Sequence, residues 1–222
     1  MRPAALIFDF DGVLLDSEFE GNRHLAELLT ELGHHISVED ALIKFSGLSG
    51  RAFYDAIEAH IGHSLPEGFH AGRAAEDERV LREGIAEVAG AIAFVRALPD
   101  DLPRAVASSS RTDWIATHLT HLGIRDAFGP HLFSGREHVS RGKPAPDIYL
   151  FAADALGVDI RRCVILEDSE VGVQGALASG ARVIGIAAGS HCVNGHEARL
   201  RKLGVREIAH DFAEVRRLIG LG

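Results

Sequence analysis

The chain has 222 residues, 46% hydrophobic and 25% charged, with 32 acidic against 23 basic residues and a formal net charge of −9. That length suits one large domain, or a domain with a small insert, and the apolar content is enough for a sizeable core. The acidic balance works against a nucleic-acid partner, which needs clustered Lys and Arg, and lysine occurs only at Lys44, Lys143 and Lys202.

In chain order, Ala4–Phe8 is a short apolar run that stops at Asp9, as a strand covered on both faces should read. From Ser17 to Gly84 amphipathic helical patterns follow one another, at Asn22–Leu32, Val38–Phe45, Ala52–His60 and Gly72–Leu81, with no convincing strand between them. Beyond that stretch strands and helices alternate. Helical patterns fall at Ile85–Ala97, Trp114–Leu122, Pro146–Leu156 and Val171–Ala178, and further strands at Arg104–Ala107, Cys163–Leu166 and Arg182–Ile186. Gly123, Gly157 and Gly180 each follow a helical pattern, where a C-terminal cap glycine is expected. The pattern predicts an α/β fold: a doubly wound parallel sheet built from residues 1–16 and 85–222, with an all-helical cap inserted at 17–84.

No apolar run approaches the roughly 20 residues of a membrane span, and the first apolar run is too short for a signal peptide. The two cysteines, Cys163 and Cys192, indicate no disulfide framework. These features predict a cytoplasmic chain with no membrane partner. Nothing marks an exposed apolar seam, so a monomer is the default.

In open α/β sheets ligands gather beyond the carboxyl ends of the strands. Those ends carry Asp9-Phe10-Asp11-Gly12, Ser108-Ser109-Ser110 and Glu167-Asp168-Ser169, while Lys143 stands in Gly142-Lys143-Pro144 ahead of a helix. Several carboxylates on one edge repel each other unless a cation joins them. Mg²⁺ resolves the conflict, because it takes oxygen ligands from one or two carboxylates, waters and a substrate phosphate. Asp9 and Asp168 are the expected direct ligands, with Glu167 acting through water. Gly12 frees the backbone to turn, so that Asp11 can offer its carbonyl to the metal and its side chain to substrate.

Asp9 through Glu18, Ser108, Gly142-Lys143-Pro144 and Glu167-Asp168-Ser169 together resemble the four motifs of the haloacid dehalogenase superfamily. The likeness spans almost the whole chain and is nearest to the β-phosphoglucomutase-like branch, with its helical cap after the first motif. It implies a Mg²⁺-dependent hydrolase of a small phosphate monoester. Asp9 would attack phosphorus to form an aspartyl-phosphate, and Asp11 would act as acid and then base. Ser108 would bind the phosphoryl oxygens, with the Ser109 or Phe10 amide as a further donor. Lys143 would neutralise charge, and Asp9, Asp11, Glu167 and Asp168 would hold the metal. Arg51 in the cap and Arg111 after the serine run are candidates for substrate contact.

Asp11 favours phosphate esters over carbon–halogen bonds, because dehalogenases of this family generally lack that aspartate. A phosphonate hydrolase would need a cap lysine for a Schiff base; the cap loop Gly47-Leu48-Ser49-Gly50-Arg51 presents a guanidinium, which stays protonated. The histidine linked to mutase control is replaced by Gly21, so a phosphatase is preferred over a phosphosugar mutase, with a sugar or sugar-acid phosphate as the preferred substrate class. A catalytically silent relative is the third reading.

Each residue also has a plainer reading. Asp9 and Asp11 suit a turn, Ser108–Ser110 a helix N-cap, and Glu167 and Asp168 a helix start. Lys143, Arg51 and Arg111 could be solvated. Among thirteen histidines no pair has zinc-site spacing with cysteine partners, and most read as solvated. His191 and His196 lie in Gly189-Ser190-His191-Cys192-Val193-Asn194-Gly195-His196, a loop that could overlook the site. Gly172 and Gly175 read as spacers for close helix–sheet packing.

Overall fold

The computed structural model describes residues 2–46, 48, 50–193 and 195–221. Gly47, Ser49 and Asn194, which belong to the two loops singled out above, lie outside them. Six strands, β1 (Ala5–Phe8), β2 (Arg104–Ser108), β3 (Leu132–Ser134), β4 (Cys163–Glu167), β5 (Arg182–Ile186) and β6 (Glu207–Ala209), form one sheet. Its order is β3-β2-β1-β4-β5-β6, and every pairing is parallel. Strand order reverses between β1 and β4, and the crevice beyond their carboxyl ends is where such sheets bind ligands.

Alternation along the strands divides the core in two. Leu6 and Phe8 of β1 join Val106, Val164, Leu166 and Ile184 on one face of the sheet. Ala5 and Ile7 join Ala105, Ala107, Cys163 and Ile165 on the other. Successive side chains in a strand point to opposite faces, so both faces need helical cover. Between β1 and β2 the chain forms α1 (Ser17–Glu31), α2 (Val38–Phe45), α3 (Gly50–Ile61), α4 (Phe69–Glu83) and α5 (Ala91–Arg96). The later helices are α6 (Thr112–His121), α7 (Asp147–Ala155), α8 (Glu170–Ala178), α9 (His196–Lys202) and α10 (Phe212–Leu218). Helices α5, α6 and α10 cover the first face, and α7, α8 and α9 the second.

Helices α1 to α4 pack around a separate cluster that includes Leu25, Leu29, Phe45, Ile57 and Phe69. The chain leaves the sheet for these helices and returns along a short antiparallel strap centred on Leu15 and Glu87. Asp16 N–H donates to the Ala86 carbonyl at 2.9 Å, and Val88 N–H to the Leu14 carbonyl at 3.0 Å.

The four expected strands are present, and Val38–Phe45 is helical over the expected span. The expected helix at Ile85–Ala97 begins only at Ala91, because 86–88 serves the strap and Gly90 takes φ +87° just ahead of the helix. Strands β3 and β6, three residues each, and helices α9 and α10 escaped the sequence pattern. Gly123, Gly157 and Gly180 adopt positive φ after α6, α7 and α8, as expected of cap glycines. Among the described residues no helix is long and apolar enough to cross a membrane.

Candidate active site

The sheet delivers the predicted residues to the β1–β4 crevice. Asp9 follows β1 directly, its N–H donating to the Leu166 carbonyl of β4 at 2.9 Å, so its position is fixed by an extension of the ladder. Glu167 ends β4 and Asp168 follows it; the two are 0% and 2% exposed, and Asp9 is 6% exposed. One carboxylate oxygen from each of the three lies within 4.8 Å of the others.

Lys143 reaches this cluster from the loop before α7. Its Nζ donates to Asp9 Oδ1 at 2.5 Å and to Glu167 Oε2 at 2.8 Å. Burial works against the ammonium, but the Asp9 and Glu167 charges outweigh it and hold the Lys143 pKa well above its usual value. Burial works against the Glu167 carboxylate too, and Lys143 outweighs it, keeping that group below its usual pKa. Asp9 moves the other way: burial first, then the charges of Glu167 and Asp168, push it up despite Lys143. Asp168 is also raised, by burial. The cluster therefore holds more carboxylate charge than its one lysine neutralises.

A divalent cation fits that surplus. Asp168 Oδ1 is buried with no partner, and the donors are all hard carboxylate oxygens, the kind that Mg²⁺ or Ca²⁺ accepts. Two missing side chains make the space. A Cβ on Gly12, which also has φ +84°, would lie 2.2 Å from Asp168 Oδ2, and one on Gly172 would lie 2.1 Å from the Glu167 carboxyl carbon. Gly172 thus makes room for a site carboxylate rather than serving helix–sheet packing alone. Gly175 packs not on the sheet but against the loop before α7, its Cβ position being 2.9 Å from the Ala145 carbonyl oxygen and 3.1 Å from that of Pro144.

The Asp11 carboxylate does not belong to the cation-competent group of Asp9, Glu167 and Asp168. Four donors hold it instead. Ser17 Oγ (2.7 Å) and Trp114 Nε1 (3.2 Å) donate to Oδ1, and Ser110 Oγ (2.6 Å) and Ser108 Oγ (3.4 Å) donate to Oδ2. Ser108 Oγ also accepts from the Ser110 N–H at 2.9 Å. The serine run does not cap α6: the residue preceding that helix is Arg111, whose side chain makes no capping bond.

The two arginines are not brought to the cluster. Arg51 is 78% exposed on α3 and pairs with Asp55 at 2.7 Å and Glu58 at 3.5 Å. Arg111 is 64% exposed and pairs with Asp113 at 3.0 Å. Ser109, the residue after β2, is exposed.

The structure adds partners that carried little sequence signal. Tyr149 Oη donates to Glu167 Oε2 at 2.6 Å, and Ser169 Oγ to Glu167 Oε1 at 2.8 Å. His191 Nε2 meets Asp168 Oδ2 at 2.8 Å. Burial opposes a charge on His191, but hydrogen bonding to Asp168 overrides it and raises the pKa to about 11. Tyr149 falls inside the helical pattern at Pro146–Leu156, which does not single it out. Trp114 opens the helical pattern at Trp114–Leu122. His191 lies in the loop that the sequence marks as able to overlook the site, and its partner Asp168 shows only in the fold.

The arrangement comprises a buried carboxylate paired with an ammonium, a cation-competent acidic group beside it, and a second carboxylate held by hydroxyls. Residues 3–180 match the model of the haloacid dehalogenase-like hydrolases. The chain is 30% identical over 180 residues to the fructose-1-phosphate phosphatase YqaB of Escherichia coli, covering 81% of this chain and 94% of that one. A family hydrolase from Deinococcus radiodurans, solved with bound phosphate and sodium, superposes with a TM-score of 0.88 at 28% identity, covering 99% and 96% of the two chains. A putative β-phosphoglucomutase from Thermotoga maritima superposes with a TM-score of 0.74 at 26% identity, covering 99% and 100%.

Proposed function

The chain belongs to the haloacid dehalogenase-like hydrolases, and from that membership we propose that it is a Mg²⁺-dependent phosphatase acting on a small phosphate monoester. A sugar or sugar-acid phosphate is the proposed class, in keeping with relatives named for fructose 1-phosphate and 6-phosphogluconate. The observation that carries the reading is the meeting of Asp9, Lys143, Glu167 and Asp168 in one buried pocket at the sheet's switch point.

Asp9 attacks the phosphorus, and the bond from phosphorus to the ester oxygen breaks as the aspartyl-phosphate forms. Asp11 gives its proton to the departing oxygen, then takes one from the water that displaces Asp9 and releases inorganic phosphate. The Ser108 hydroxyl and the Ser109 amide bind phosphoryl oxygens, while Lys143 balances charge on Asp9 and the transferring group. Asp9, Asp168 and the Asp11 carbonyl would hold Mg²⁺, with Glu167 as the further carboxylate of the group. When bound, the ion stabilises negative charge on the phosphoryl group. Residues 17–84 act as a cap on a core of 1–16 and 85–222, excluding bulk water when closed over substrate. Arg51 and Arg111 would each have to leave a carboxylate partner to touch substrate.

The test is a panel of phosphorylated metabolites with Mg²⁺, scored for inorganic phosphate and for isomerised product. Asp9→Asn should lower phosphate release by at least about 10³-fold, because an amide is a poor nucleophile. Wild-type release by that variant would sink the mechanism, and isomerisation outpacing release would mark a phosphosugar mutase.

A further inference from the structure

We propose that the loop after β5 and the first residue of α9 carry a second cation site, formed by His191, Cys192 and His196, suited to a borderline transition ion such as Zn²⁺. One ligand atom from each of the three lies within 4.8 Å of the others, with both histidines buried and the cysteine half-buried. Cys192 Sγ stands 3.4 Å from His191 Nε2. With Zn–S near 2.3 Å and Zn–N near 2.0–2.1 Å, a tetrahedral centre puts such a pair roughly 3.5 Å apart. The observed separation already has that value.

The donors separate this site chemically from the acidic cluster. Asp9, Glu167 and Asp168 offer only hard oxygens, whereas the second site offers one sulfur and two imidazoles, a set that selects Zn²⁺ over Mg²⁺. His191 and His196 are 7% and 8% exposed, so both imidazoles are shielded from solvent. Cys192 and His196 also converge on one backbone atom: Sγ is 3.9 Å, and His196 Nε2 3.3 Å, from the Ile186 carbonyl oxygen. The spacing, adjacent residues and then a third four places on, is not that of a familiar zinc motif; the fold brings the donors together. Asp168 Oδ2, 2.8 Å from His191 Nε2, is the nearest candidate for a fourth ligand. A cation at this site competes for the imidazole that holds Asp168, so its binding should inhibit any reaction that depends on the acidic cluster.

The decisive measurement is direct binding to the metal-free full-length protein, which does not depend on the phosphatase reading. Co²⁺ should produce a sulfur-to-cobalt charge-transfer absorption at one equivalent in the wild type, and Cys192→Ser should abolish it. Zn²⁺ affinity, read by competition with a chromophoric chelator, should fall at least about tenfold in Cys192→Ser, since losing a direct ligand costs no less than losing an outer partner. Cys192→Ser is nearly isosteric, and unchanged thermal unfolding of the metal-free variant would show that its fold survives. If Mg²⁺-dependent phosphate release is measurable, the variant should also resist Zn²⁺ inhibition at least about tenfold better than the wild type. Absence of the sulfur band in the wild type, its survival in Cys192→Ser, or equal Zn²⁺ affinity in the two proteins would overturn the proposal.

Discussion

Two glycines inside helices give opposite expectations for the same substitution, and the structure supplies both signs. In Gly172→Ala the new Cβ would lie 2.1–2.3 Å from the carboxyl carbon and both oxygens of Glu167. That carboxylate has nowhere to go: it is 0% exposed and held by Lys143, Tyr149 and Ser169. Overpacking costs about 1–3 kcal/mol, and disturbing a hydrogen bond to a buried charge about 1.5–3 kcal/mol. Alanine's better helix propensity returns about 1 kcal/mol, leaving a net loss of about 1.5–5 kcal/mol. Gly21, on α1, has nothing within 4 Å of its Cβ position. Gly21→Ala should therefore gain about 0.5–1 kcal/mol from propensity alone. Urea unfolding of both variants without metal, compared at the midpoint with the slope held as a control, reads the difference directly. If Gly172→Ala proved as stable as the wild type, the packing of Glu167 against α8 described above would be wrong.

Lys143→Met keeps the side-chain length but leaves Asp9 and Glu167 buried without their ammonium; breaking a buried pair in this way should cost about 3–5 kcal/mol in urea unfolding at neutral pH, and phosphate release should fall with it. His118 gives a pH signature. It is 0% exposed with neither ring nitrogen partnered, and burial pushes its pKa down from 6.5 to about 4. A base whose folded pKa is depressed stabilises the fold above its unfolded pKa, and that contribution fades as pH falls from 6.5 toward 4. Between pH 7 and pH 5 the loss from this group should be about 2 kcal/mol. His118→Leu should flatten the fall in urea midpoint by that amount; equal slopes in variant and wild type would show that His118 ionises freely in the fold.

The sequence revealed the sheet where its strands are central. Residues of β1, β2, β4 and β5 are almost all buried and read as continuous apolar runs. The edge strands β3 and β6, three residues each, are too short to show a period. The site was legible where chemistry sits at strand ends, as with Asp9, Glu167 and Asp168, and where a rare residue stood out, as with Lys143. It was not legible where a polar contact is made by a residue that also serves packing. Tyr149 is wholly buried on α7 and looks like any core aromatic until its hydroxyl is seen on Glu167. Trp114, Ser17 and Ser110 come from three separate places in the chain, and only the folded chain brings them to one carboxylate. The expected helix at 85 failed for a related reason: its apolar residues follow a helical spacing, but their backbone is already paired with Leu14–Asp16.

That pairing ties helices α1 to α4 to the sheet through two paired segments rather than two separate single-chain tethers. The strap is also anchored: Asp16 accepts from Ser190 N–H at 3.1 Å and from Ser190 Oγ at 2.5 Å. The next residue, His191, grips Asp168. Two neighbours in one loop thus hold the strap beside the helical segment and an acid of the buried cluster, one peptide apart.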